Sequence, residues 1–200
     1  MYFNSGCKKW FYEEIVILAS GSGTNAEQII KYFYYHESIT VAAVFSNRTN
    51  AGVLQRAHKY GIPAVVFSRT DLYEEKRVEQ LLRDFDANLI VLAGFLWLIP
   101  EAIVKQYPNR ILNIHPALLP RYGGKGMYGS KVHKAVIANG EKESGITIHY
   151  VNKHYDKGDI IHQETCPVSE GETPETLAAK IHRLEHEAYP SVIESVAMGL

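Results

Sequence analysis

ILNIHPALLP, residues Ile111–Pro120, begins as an apolar strand and stops at a proline. In a strand, residues two apart share a face. Asn113 and His115 therefore project together at the strand's carboxyl end. Pro116 biases His115 towards an extended backbone. An amide and a titratable imidazole side by side on a rigid mount make a candidate site where the sheet meets solvent. Either residue alone would more simply be a hydrogen-bonded core residue.

Working outward towards the N-terminus, Ile15–Ala19 (IVILA) has the branched, wholly apolar composition of a strand covered on both faces. Ser20–Asn25 (SGSGTN) follows, then a helical stretch to Tyr35, with Thr24 or Asn25 expected as its N-cap. A glycine turn between strand and helix lets backbone N–H groups approach an anion, and the helix dipole assists. The turn completes neither G-x-G-x-x-G nor a P-loop, so a purely geometric turn is the competing reading. Thr40–Phe45 and Ala64–Phe67 read as strands, with a helix over Ala51–Tyr60 stopped by Gly61. Asp71–Phe85 reads as one amphipathic surface helix, and Asn88–Gly94 as a fourth strand. Strands alternating with helices at these lengths predict an α/β fold with a parallel sheet. Phe95–Ile99 (FLWLI) continues apolar beyond the fourth strand, and Pro100 opens a short helix to Gln106.

Towards the C-terminus, Arg121–Gly129 (RYGGKGMYG) holds four glycines and reads as an exposed, mobile loop, a lid or a plain connector. Ser130–Asn139 reads as a helix capped by Ser130, with His133 facing either the site or the packing. Gly145–Val151 alternates as a half-buried strand, NKHYD at Asn152–Asp156 is a turn, and Asp159–Val168 returns, giving an antiparallel hairpin near the C-terminus. From Thr173 a long helix runs to Met198, with Leu177, Ile181, Leu184 and Ala188 inward.

The 200 residues carry a net charge of −1 and no basic run, so nucleic acid is a poor candidate partner. No apolar run reaches the length of a membrane span. Cys7 and Cys166 suggest neither a disulfide framework nor a metal site, and a cytoplasmic, reducing compartment is expected. Residues 1–13 read as an N-terminal extension and 14–200 as one domain.

ASGSGTN at Ala19–Asn25, VFSN at Val44–Asn47, LAGF at Leu92–Phe95, NIHPALLP at Asn113–Pro120, DKGDII at Asp156–Ile161 and EHEAYP at Glu185–Pro190 together resemble the folate-dependent formyltransferases. SGSGTN and EHEAYP are most similar to members that act on glycinamide ribonucleotide. The resemblance implies a Rossmann-like, mostly parallel sheet flanked by helices. It implies transfer of the formyl group of 10-formyltetrahydrofolate to the amine of that ribonucleotide, in purine biosynthesis, without a metal. Formyltetrahydrofolate deformylase and sugar-nucleotide N-formyltransferase share the central residues and are the alternatives.

The roles implied are catalysis by Asn113, His115 and Asp156, and ribonucleotide binding by Gly23, Thr24, Asn25, His182 and Glu185. The folate would lie against Leu96, Trp97, Leu98, Ile99, Asn113 and the turn Asn152, Lys153, His154, Tyr155. Asp156 is expected to favour a protonated His115 that donates to the formyl oxygen. Partners would be these small molecules, with the chain a monomer or weak homodimer. Three departures stand out: the segment RYGGKGMYGSK is long for the family, Trp97 stands where arginine is frequent, and His182 where glutamine is frequent. A cis Leu119–Pro120 bond is also implied.

Overall fold

The computed structural model describes residues 13–200. The expected extension lies outside the described residues except for Glu13, which opens the first strand, and Cys7 lies outside them too.

Among the described residues, seven strands form one sheet in the order β3-β2-β1-β4-β5-β6-β7. They are β1 (Glu13–Leu18), β2 (Ile39–Ser46), β3 (Ala64–Val66), β4 (Leu89–Leu92), β5 (Ile111–His115), β6 (Glu143–Tyr150) and β7 (Ile160–Pro167). The first five are parallel, β6 runs antiparallel to β5, and β7 antiparallel to β6. The chain builds outward from β1 to β3, then returns to place β4 on the other side of β1. That reversal opens a crevice at the carboxyl ends of β1 and β4, the usual ligand position in such sheets.

Among the described residues, seven helices cover the faces: α1 (Thr24–Phe33), α2 (Gly52–Lys59), α3 (Arg69–Tyr73), α4 (Arg77–Asp84), α5 (Glu101–Gln106), α6 (Ser130–Ala138) and α7 (Pro174–Ala197). Ile15, Ile17, Val91, Leu112, Ile114 and Ile148 pack against α1, α2, α6 and α7 on one face. Val16, Leu18, Phe45, Ile90 and Ile111 pack against α3, α4 and α5 on the other. Strands buried on both faces explain the unbroken apolar runs of β1 and β4.

Helix α7 starts at a reciprocal cap: Thr173 Oγ1 accepts from the Thr176 N–H at 3.2 Å, and Thr176 Oγ1 from the Thr173 N–H at 3.1 Å. It buries Leu177, Ile181, Leu184 and Ala188, as its periodicity predicts. Leu177 is fully buried, so truncating it to alanine should cost about 2–5 kcal/mol. Tyr189, also fully buried, brings its hydroxyl to the Leu92 carbonyl at 3.1 Å and the Leu112 carbonyl at 3.3 Å. This helix therefore ties the carboxyl end of β4 to the middle of β5, beneath the crevice. The Leu119–Pro120 bond is cis.

The structure corrects several expected local features. The single helix over Asp71–Phe85 is two, because a Ser68–Asp71 capping box starts α3 early and Lys76 turns left-handed at φ 54°. Leu72 and Val78 lie six residues apart, which on one helix would put them on different faces; Val78 and Leu82 share a face. Thr24 and Asn25 do not cap α1, and Ser130 does not cap α6: Gly23 and Gly129 hold the N-cap positions. Strand β6 is buried on both faces, not one. Thr147 satisfies its second face by donating to the Ala117 carbonyl at 2.6 Å and accepting from the Leu119 N–H at 3.0 Å.

Candidate active site

The glycine turn sits where β1 hands over to α1. Gly23 has φ 78°, and a Cβ there would lie 2.5 Å from Val53 of α2, so only glycine fits. Ser20 fastens the turn to the segment after β4, its N–H donating to the Gly94 carbonyl at 3.1 Å and its Oγ accepting from the Leu96 N–H at 3.1 Å. Asn25 donates through Nδ2 to Glu185 of α7 at 2.9 Å, while its Oδ1 is buried without a partner. Burial pushes the Glu185 carboxyl up; the Asn25 hydrogen bond and nearby His182 pull against it without reversing the shift.

At the other end of the crevice stand Asn113 and His115, on one face of β5 as their spacing predicts. The Tyr122 carbonyl, 2.8 Å away, can only accept, so His115 carries its proton on Nε2. Nδ1 then faces Asp156 Oδ2 at 3.6 Å. Burial is the largest influence on His115 and holds its pKa below the ordinary imidazole value; Asp156 and the Tyr122 carbonyl work the other way and do not overcome it. Burial thus favours the neutral imidazole, against the imidazolium expected from the neighbouring carboxylate alone.

Asp156, at the hairpin tip with φ 52°, turns its carboxylate inward. Oδ2 accepts from the Gly124 N–H at 2.8 Å, and Oδ1 from Asn113 Nδ2 at a long 3.4 Å. Burial alone would raise its pKa. His149 and His115, which favour the carboxylate when they are protonated, and the Gly124 N–H work against burial and hold the carboxyl below the usual range.

A fourth residue, His149, completes this end and was missed in the sequence. It faces Asn113 across the antiparallel pair β5–β6. Its Nδ1–H donates to the Tyr150 carbonyl at 2.8 Å, leaving Nε2 to accept from Asn113 Nδ2 at 3.1 Å and to lie 3.7 Å from Asp156 Oδ1. Period-two alternation had put His149 on the same side as Thr147. Only the β5–β6 register sets it opposite Asn113, and no local pattern carries that register.

The glycine-rich loop supplies two of these contacts. The Tyr122 carbonyl and the Gly124 N–H, two residues apart, hold His115 and Asp156 respectively. The Tyr122 ring is bolted outside the crevice, its hydroxyl donating to Glu141 at 2.5 Å and accepting from Asn139 at 2.8 Å. The first half of this loop is thus a clamp on the site, not a free lid.

Gly23, Thr24, Asn25, Leu96, Asn113, His115, Asp156, His182 and Glu185 line one cavity of about 520 Å³, with Arg48 and residues of the Gly124–Gly129 loop. His133 lines it too, with Nδ1 buried and unpartnered, and burial lowers its pKa to about 4. A narrow slot of about 50 Å³ adjoins this cavity and shares Phe95, Asn113, Tyr155 and Asp156 with it. Trp97, Leu98, Ile99, His154 and Tyr155 line the slot. The slot is far smaller than pockets for drug-sized ligands, ~300 Å³ and above. Trp97 packs edge-on against Phe67 and Phe95 and lies under the Arg69 guanidinium. Asn152 and Lys153 line neither cavity. The Asn152 side chain closes its own turn, donating to the Lys157 carbonyl at 2.8 Å and accepting from the His154 N–H at 2.9 Å. Among the described residues no group of three or more His, Cys, Asp or Glu is arranged to hold a metal ion, and no helix is long and apolar enough to cross a membrane.

Fold and site define an α/β protein that sets a glycine turn, suited to an anion, at one end of a cavity and a buried amide–imidazole–carboxylate group at the other. The sequence profile described as formyl transferase matches residues 13–193, and the chain belongs to that family. Phosphoribosylglycinamide formyltransferase of Escherichia coli (strain K12) is 35% identical over 92% of this chain and 87% of its own length. The chloroplastic phosphoribosylglycinamide formyltransferase of Arabidopsis thaliana is 38% identical over 92% of this chain, which spans 65% of the plant protein. The crystal structure of phosphoribosylglycinamide formyltransferase from Anaplasma phagocytophilum superposes with a TM-score of 0.85 at 36% identity, covering 94% of this chain and 87% of that one. The chain has the fold of these formyltransferase structures.

Proposed function

We propose that this protein transfers the formyl group of 10-formyltetrahydrofolate to the primary amine of glycinamide ribonucleotide in purine biosynthesis. The observation that carries this reading is the inward-turned Asp156 carboxylate, against Asn113, His115 and His149 and in the same cavity as the glycine turn.

In this reading Gly23, Thr24 and Asn25 receive the phosphate with backbone N–H groups at the start of α1. Glu185, held by Asn25, and His182 receive the ribonucleotide's polar groups. The amine then reaches His115. The folate enters past Leu96–Ile99 and the hairpin turn. Because the slot is narrow, Trp97 and Tyr155 move aside to admit a fused ring. Asn152 and Lys153 support that turn instead of touching the ring.

As the amine attacks, charge develops on the formyl oxygen. Asn113 meets it with the N–H now spent on its long bond to Asp156, while its shorter bond to His149 keeps the amide aimed. A donor fixed at such a position contributes roughly 3–4 kcal/mol. Neutral His115, its Nε2–H committed to Tyr122, accepts the amine's proton at Nδ1. The resulting imidazolium is stabilised by the facing Asp156 carboxylate and sits beside the oxyanion. The proton then passes to the departing folate nitrogen.

The test is an assay of purified protein with both substrates, following tetrahydrofolate. Amine-dependent production supports the reading. Release of formate without the amine would reassign the protein to the hydrolytic alternative, and requirement for a sugar-nucleotide amine to the other.

A further inference from the structure

We infer that Arg56 of α2, which is not part of the cavity wall, sets the affinity of the glycine turn for a phosphate group by locking the peptide between Ser22 and Gly23. This rests on the phosphate-cradle reading above. Three consecutive carbonyls of the turn are bound from behind. The Val53 N–H donates to the Gly21 carbonyl at 3.2 Å, Arg56 Nε–H to the Ser22 carbonyl at 2.8 Å, and the Glu27 N–H to the Gly23 carbonyl at 2.9 Å. Among the described residues, the N–H groups of Gly21, Ser22, Gly23, Thr24 and Asn25 meet no protein acceptor. A peptide unit is planar and trans, so its N–H points opposite to its C=O. Holding the Ser22 carbonyl against Arg56 therefore turns the Gly23 N–H away from α2, towards the cavity.

This lock is needed because Gly23, at φ 78°, lies in a region that glycine enters and leaves cheaply. A flipped Ser22–Gly23 peptide would present an oxygen to the anion and withdraw a donor. Arg56 is itself fixed, since its Nη1 pairs with the buried Glu27 carboxylate. That carboxylate also takes Tyr60 Oη–H at 3.2 Å and Lys59 Nζ at 3.3 Å. Gly52, at the start of α2, lies so close that a Cβ there would sit 3.1 Å from the Ser22 carbonyl oxygen. Arg56 is thus a positioning residue: it acts on the ligand through the backbone of the turn.

The experiment compares wild type, Arg56→Met, Arg56→Lys and Lys59→Met, each checked by thermal unfolding, on glycinamide ribonucleotide and on its phosphate-free ribonucleoside. For Arg56→Met we expect KM for the ribonucleotide to rise about tenfold, the scale of a hydrogen bond to a charged group. Inhibition by inorganic phosphate should weaken in parallel. Turnover at saturation, KM for the formyl donor and use of the ribonucleoside should stay within about twofold. Lys59 reaches Glu27 but no turn carbonyl, so Lys59→Met should leave KM unchanged. Should Arg56→Met not fold, Arg56→Lys decides, because a lysine can hold Glu27 or Ser22 but not both, and its KM should rise. Unchanged KM in folded Arg56 variants, equal loss on both amines, or the same rise in Lys59→Met overturns the inference. A wild type that does not prefer the phosphorylated amine overturns the cradle reading, and the inference falls with it.

Discussion

The two ends of the cavity are built in opposite ways. The glycine turn is six consecutive residues, Ser20–Asn25, on one strand-to-helix connection. The other end, catalytic in the proposed reading, gathers Asn113 and His115 from β5, His149 from β6, Asp156 from the hairpin tip, and the Tyr122 and Gly124 backbone from a loop. At the turn, fixed N–H dipoles present donors and nothing there needs to titrate. At the other end buried groups oppose one another: burial lowers the His115 pKa, while the surroundings of Asp156 keep its carboxyl low against burial. An end that binds can be local; an end that moves a proton needs partners whose environments push their proton affinities apart.

The largest effect expected from breaking this contrast is at Asp156. Asp156→Asn keeps the shape but removes the charge that stabilises a protonated His115. Turnover should fall about 10³-fold, within the range for a lost proton-transfer partner, with KM for the ribonucleotide nearly unchanged. The His115 titration should also move further down, because Asp156 is the larger of the two influences that raise it. Steady-state kinetics and an NMR titration check both, and a turnover within tenfold of wild type would remove Asp156 from the chemistry.

His149→Phe should have the next largest effect. It frees the Asn113 amide from its 3.1 Å acceptor while keeping an aromatic ring in place. Turnover should drop about tenfold to a hundredfold, less than the roughly 10²–10³-fold of losing a donor outright because Asn113 itself remains, while phosphate inhibition, which reports the turn, stays constant. A change in phosphate inhibition would mean that the two ends are coupled.

The smallest effect is on stability and concerns His133, which lines the space between them. Its pKa in the folded protein is lowered to about 4, so the folded state binds fewer protons than the unfolded chain as pH falls. Stability should therefore be unaffected above the unfolded value of about 6.5, decline as pH falls from there, and level off below about 4. Urea unfolding across that window should show a shallower decline in His133→Gln. An identical decline would assign the pH dependence to other groups.

This asymmetry also explains what was legible in the sequence. The sheet, the hairpin and α7 follow from apolar runs, alternation and spacing, all local signals. The shared face of Asn113 and His115 follows from two-residue periodicity. The glycine turn announced itself by composition, but its cap did not: Gly23 takes that role because Val53 of α2 packs against it. His149 and the clamp of Tyr122 and Gly124 were illegible because they depend on strand register and on where a loop folds back. The balance at His115 was illegible because sequence supplies the neighbouring carboxylate but not the burial that opposes it.

The account turns on the proton of one imidazole. Long-range ¹H–¹⁵N NMR of His115 across pH, assigned with His115→Gln, reads both its charge and its tautomer. The account predicts a neutral ring at pH 7 with the proton on Nε2, charging only below the ordinary imidazole value of about 6.5. A ring charged at pH 7, or a proton resting on Nδ1, would contradict it.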